Sequence, residues 1–148
     1  MSNTRFQRSL LVLLSLVALT GCSGTYQGIK VRAQAPPISD AFRKFSLAVT
    51  VDGYTIRKLD PEAFQLETEW RETKEKERSE IEKKNGGAAL ARIDLKIARR
   101  GSLYDVFLTP YLQSVEGRER VAEFDHPLRE KWRRVIKEIV QEEFREEE

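Results

Sequence analysis

The sequence predicts an α+β domain: a four-stranded antiparallel meander with an N-terminal helix and a long C-terminal helix packed on one face (α-β4-α). Three observations predict it. Apolar and polar residues alternate with a period of two across residues 64–70 and again across 91–97, as in half-buried strands. Leu128, Trp132, Val135, Ile136, Ile139, Val140 and Phe144 recur on one helical face near the C-terminus. The order of the elements, one helix, then strands, then a helix, is that of an α+β domain rather than of a parallel sheet with crossover helices.

Residues 1–21 read as a leader. Arg5 and Arg8 precede a ten-residue apolar run, 10–19, which ends in Leu19, Thr20, Gly21 and Cys22. A basic n-region, a short apolar stretch and small residues before a cleavage point form a secretory signal peptide. The run is about half the ~20 residues of a membrane-spanning helix. The last four residues resemble the lipobox of bacterial lipoproteins. That resemblance implies cleavage between Gly21 and Cys22, a diacylglycerol thioether on the Cys22 sulfur, and membrane attachment through acyl chains. Two or three such chains hold a protein stably where one does not. Ser23, and not Asp, follows Cys22, which resembles the pattern that permits transfer to the outer membrane, facing the periplasm.

Of the 148 residues, 26 are basic and 24 acidic, and the leader holds two of the bases and no acid. Residues 22–148 are therefore formally neutral, and no basic field exists to attract nucleic acid. Cys22 is the only cysteine, which excludes an intramolecular disulfide.

Residues 22–38, with Ser23, Gly24, Gly28, Pro36 and Pro37, read as the lipidated cysteine and a flexible tether that stands the domain off the bilayer. Residues 39–148 form a single domain. Ser39 is a candidate N-cap, and Ala41, Phe42, Phe45, Ala48 and Val49 share one face of a helix over 39–52 that ends at Gly53. Four strands are expected at 54–59, 64–70, 91–97 and 103–113, with a turn at Asp60 and Pro61. Pro110 lacks a ladder donor, so the fourth strand should lie at a sheet edge or be bulged. Trp70 and Trp132 fall on apolar faces and are expected in the core.

Between the second and third strands lies a charged loop, 71–87. Eleven of the fourteen residues at 71–84 are charged and Ile81 is its one clear hydrophobe, so a solvated loop is expected. Asp125 is the expected N-cap of the last helix, with Pro127 in its first turn. Glu146, Glu147 and Glu148 should fray against the helix dipole.

Most catalytic templates fail on inventory. His126 is the sole histidine and sits at a helix start, so a histidine metal cluster is impossible and capping is its expected role. No glycine-rich phosphate loop is present. No catalytic residue, metal or cofactor is expected. The residues that stand out are on the fourth strand. Its second face carries Asp105, Phe107 and Tyr111, where the neighbouring strands are polar. Exposed aromatics there suggest a partner surface, unless the tether or residues 115–124 cover them.

Ala41 and Phe42 opening the first helix, Gly53 and Tyr54 at its end, and Glu69, Trp70 and Arg71 in the second strand resemble, in element order over 39–144, the helix-grip domains of the BamC family. Those lipoproteins belong to the machinery that assembles outer-membrane β-barrels. One such domain stands here where the family has two, and no functional residue carries over. The expectation is a lipid-anchored, non-catalytic binding or assembly factor with an envelope protein partner. A small-ligand or lipid carrier, with a cavity between the C-terminal helix and the sheet, is the alternative.

Overall fold

The computed structural model describes residues 25–140. The expected leader, Cys22, Phe144, Glu146, Glu147 and Glu148 lie outside the described residues. The elements are β1 (Ile29–Ala33), α1 (Ile38–Val51), β2 (Ile56–Asp60), β3 (Gln65–Thr68), β4 (Arg71–Glu72), a 3-10 turn (Glu75–Glu77), α2 (Glu80–Asn85), β5 (Ala88–Arg100), β6 (Leu103–Ser114), β7 (Glu119–Val121) and α3 (Pro127–Ile139). The fold is α+β. The sheet is antiparallel and has seven strands, not four, in the order β1-β6-β5-β3-β2, with β4 on β5 and β7 on β6. Its centre is the long hairpin of β5 and β6.

One sheet face carries Val31, Leu66, Ile93, Ile97, Val106 and Leu108, all buried. Helices α1 and α3 cover it and touch each other. Ala41, Phe42, Phe45 and Val49 from α1 meet Leu128, Trp132 and Ile136 from α3 in one core. Full burial of Trp132 agrees with its place in the sequence pattern.

Several expectations are corrected. The stretch 22–38 is not all tether: Ile29, Val31 and Ala33 alternate inward and pair with Leu108, Val106 and Tyr104. Five residues with apolar alternation are too short to outweigh the flanking Gly and Pro signals in a sequence window. Helix α1 starts at Ile38 with Pro37 as its N-cap, so Ser39 lies inside the first turn. Helix α3 is capped by His126, not Asp125: the His126 Nδ1 accepts from the Leu128 N–H at 3.1 Å.

Strand β6 is interior, not an edge, yet it tolerates Pro110. Pro110 faces Ile93, whose N–H points the other way, to the Thr68 hydroxyl at 2.9 Å. The two residues are thus a non-hydrogen-bonded pair. The proline nitrogen faces the opposite side, where β1 has ended at Ile29 opposite Leu108 and β7 ends at Val121 opposite Tyr111. The missing donor falls in the seam between two short strands, and the Pro110 carbonyl there accepts from the Ala122 N–H at 2.8 Å. A proline inside a sheet is confined to such unpaired positions.

The charged segment 71–87 is a packed structure rather than a solvated loop. It holds β4, the 3-10 turn and α2, and its buried residues are Thr73, Glu77 and Glu82, while Ile81 is exposed. Burial follows pairing, not hydropathy. Glu77 receives Arg71 and Lys131 (Nζ at 2.9 Å), and Asp52 receives Arg71 (2.8 Å), Lys74 (2.9 Å) and Lys131. These bonds outweigh burial, which alone would raise both carboxyls, and hold both below their ordinary values. The Arg71 guanidinium also lies 4.0 Å from the Tyr54 ring centre. Glu82 accepts from Ser79 N, from His126 Nε2 at 2.8 Å and from Arg120. Since Nδ1 of His126 accepts a bond, Nε2 carries the proton that Glu82 receives.

Candidate functional site

The sheet face away from α1 and α3 is the candidate site. Side chains reach it by register. Lys30, Phe107, Lys96 and Gln65 form one row across β1, β6, β5 and β3. Thr109, Asp94, Glu67 and Lys58 form the next across β6, β5, β3 and β2. Tyr111 and Arg92 pair beyond them.

A trough of about 540 Å³ runs over these rows, lined among others by Tyr26, Gln65, Glu67, Asp94, Phe107 and Tyr111. Phe107 and Tyr111, singled out in the sequence, are both half-buried and both line it. Tyr26 partly covers them. Its ring meets Phe107 edge-to-face at 5.2 Å, and its hydroxyl lies 2.6 Å from the Thr109 hydroxyl oxygen. Gly28 makes this possible: a Cβ there would lie 2.3 Å from the Tyr26 hydroxyl and 2.7 Å from the Thr109 oxygen. Burial pushes the Tyr26 phenol up to about 12, against the Thr109 bond, so it stays protonated.

Asp105 lies on the same face but is buried. Its carboxylate accepts from Arg32 Nε at 2.9 Å and pairs with Arg100 Nε at 3.3 Å. These pairs tie β6 to β1 and to the end of β5. The acids in the trough are Asp94 and Glu67. For Asp94 the balance runs upward. Burial raises its carboxyl above the usual value, against the pull of Arg92 at 3.4 Å and with Glu67 beside it. Glu67 stays low because Arg57 donates to it at 2.7 Å.

Trp70 belongs to this face and not to the core. The register passes from Glu67 opposite Asp94 to Arg71 opposite Ala91. Four residues on one side match three on the other, and the extra residue inverts the alternation. Trp70 turns to the open face and Arg71 to the helix side. The Arg92 guanidinium then sits 5.0 Å from the Trp70 ring centre and 4.6 Å from that of Tyr111. Alternation within 64–70 could not announce the bulge; the run Glu69-Trp70-Arg71, charge beside ring, is the one hint of it.

Between α3 and the sheet, where a carrier would hold its ligand, Leu128, Trp132 and Ile136 are fully buried against Phe45 and Leu108 in a single core. Among the described residues, no group of three or more His, Cys, Asp or Glu is placed to hold a metal ion, and no helix is long and apolar enough to cross a membrane. The chain matches no protein-family model and no curated protein.

Proposed function

We propose that the chain is a lipid-anchored cell-envelope protein, attached through acyl chains on Cys22 at the outer membrane, that acts as a non-catalytic binding or assembly factor. Its contact surface is the helix-free sheet face. The helix-grip reading of the domain, with β2, β3, β5 and β6 as its meander, belongs to the same proposal. One observation carries the contact surface: a trough in which the half-buried rings of Phe107 and Tyr111 lie among charged side chains on a face that neither α1 nor α3 covers. Half-exposed aromatics of this kind are enriched where surfaces meet partners. The burial of Leu128, Trp132 and Ile136 against the sheet favours this reading over a carrier. The commitment of His126 to a helix cap and to Glu82 favours it over an enzyme.

Two measurements test the proposal. Replacing Cys22 with Ser should move the protein from the membrane to the soluble fraction; unchanged membrane association would remove the anchor. A photo-cross-linking residue at position 107 should capture an adduct in cells. If none forms, and a Phe107→Ser/Tyr111→Ser variant behaves as wild type, the sheet face is not the contact surface.

A further inference from the structure

We propose that Tyr26 fills, from within the chain, a seat in the trough that takes a tyrosine side chain of the protein partner, and that Tyr26 must swing out before the partner enters. The inference rests on the reading of the open sheet face as the contact surface. It names the chemistry that this surface recognises and the internal contact that restrains it.

Net charge does not choose the occupant of this face, because its cations and carboxylates pair across it, as Arg92 does with Asp94 and Arg57 with Glu67. The trough's own occupant is more informative. Tyr26 precedes β1 and belongs to no element. Phe107 and Thr109 stand two apart on β6 and so share a face. The Tyr26 ring meets Phe107 edge-to-face at 5.2 Å, with the planes at 87°, and its hydroxyl lies 2.6 Å from the Thr109 hydroxyl oxygen. A ring edge and a partner for the hydroxyl are the two contacts by which a half-buried phenol is recognised. A phenylalanine in this seat would forgo the Thr109 bond, and an aliphatic side chain would forgo both contacts. The seat therefore selects tyrosine.

The seat is filled without being sealed, since Tyr26 remains 41% exposed. The chain behind it is fixed. Arg129 holds the Gln27 carbonyl at 2.7 Å and the Gly28 carbonyl at 3.0 Å, and β1 begins at Ile29. Rotation about the Gln27 N–Cα bond carries Tyr26 out of the trough and leaves both carbonyls in place. The trough continues from the seat past Phe107 to Asp94 and Tyr111 over about 540 Å³. A partner segment whose tyrosine takes the seat can lay its next residues there.

The full chain, purified from membranes, is labelled with 4-fluorophenylalanine, and the Phe107 resonance is identified by Phe107→Leu. In Tyr26→Ala that resonance should shift, because the ring beside it is gone. Titration with N-acetyltyrosinamide should return it toward its wild-type position, and the phenylalanine analogue should bind about fivefold more weakly for want of the Thr109 bond. The wild-type chain should need about tenfold more probe, since Tyr26 competes through one ring contact and one hydrogen bond. Tyr26→Leu, which keeps an apolar cover over Phe107, should fall between the two and serves if Tyr26→Ala lowers the melting temperature. A Phe107 resonance that ignores the probe in these variants overturns the seat. Equal responses of variant and wild type overturn the competition. In cells, a photo-cross-linking residue at position 111 should give about threefold more protein adduct when combined with Tyr26→Ala. An equal yield overturns the restraint by Tyr26. No adduct in either background, with the seat still titrating, overturns the contact-surface reading and the partner with it, but not the seat.

Discussion

Single side chains decide this fold where burial and pairing are most complete. Trp132 is fully buried and touches both helices' core residues, so Trp132→Ala should cost about 3–5 kcal/mol, the range for large aromatic truncations. A denaturant midpoint unchanged by that substitution would mean α3 does not dock as described. Glu77 poses a different case. It is nearly as buried as Trp132 but is held by Arg71 and Lys131. Glu77→Ala takes one of two carboxylates from Arg71 and Lys131, and breaking a buried pair costs about 3–5 kcal/mol. Asp52 still receives both cations, so the lower end, about 3 kcal/mol, is expected. Glu77→Gln should cost less, because the amide oxygen keeps one acceptor. Equal losses for Ala and Gln, by urea titration, would show that the retained acceptor contributes nothing and that the network depends on the charge of Glu77 alone.

At the scale of elements, β1 carries the sharpest expectation. Ile29 and Val31 are fully buried in the core, and each contributes about 1.5–3 kcal/mol. A chain beginning at residue 34 therefore loses about 3–6 kcal/mol, a large share of the 5–15 kcal/mol that holds a typical domain. It also leaves the β6 edge from Tyr104 to Leu108 unpaired. Compared with a chain beginning at Thr25, it should melt far lower or associate in sedimentation; identical behaviour would restore the tether reading of this segment. The same scale shows what the sequence could reveal. Strands β3, β5 and β6 and helices α1 and α3 were legible because each repeats its apolar period long enough to be unambiguous. β1 was not, since between Gly28 and Pro36 its strand has only five residues. The 71–87 segment was not, because pairing across elements, Arg71 with Asp52 or Glu82 with His126, leaves no local pattern. For the candidate site, Phe107 and Tyr111 were visible as apolar breaks in a polar face. Asp94, Trp70 and Tyr26 came into view only with the register, the bulge before Arg71 and the close approach over Gly28.

For the whole molecule, the ion networks join what the core does not. Asp52 ends α1, Arg71 lies in β4, Glu77 in the 3-10 turn and Lys131 in α3, so one cluster ties four segments at the end of the sheet. A second, of Glu82, His126 and Arg120, ties α2 to the start of α3 and to β7. Asp52, Glu77 and Glu82 all have carboxyls held below their ordinary values of 3.8 and 4.5, with burial opposing and hydrogen bonds prevailing. Folding therefore favours their ionised forms. The stability they contribute is complete above those ordinary values and is lost as pH falls through the lower folded ones. Asp94 has the opposite sign, because burial raises it, so protonation there returns some stability as pH falls. Three acids outweigh one. Melting temperature should be level from neutral pH to about 5 and then drop steeply below about 4.5, where the unfolded carboxyls take up protons first. Glu77→Gln should flatten part of that drop, and Asp94→Asn should leave or deepen it while raising stability near neutral pH. A melting temperature constant from pH 7 to pH 3 would mean these carboxylates do not hold α1, β4 and α3 together, and that the apolar core alone does.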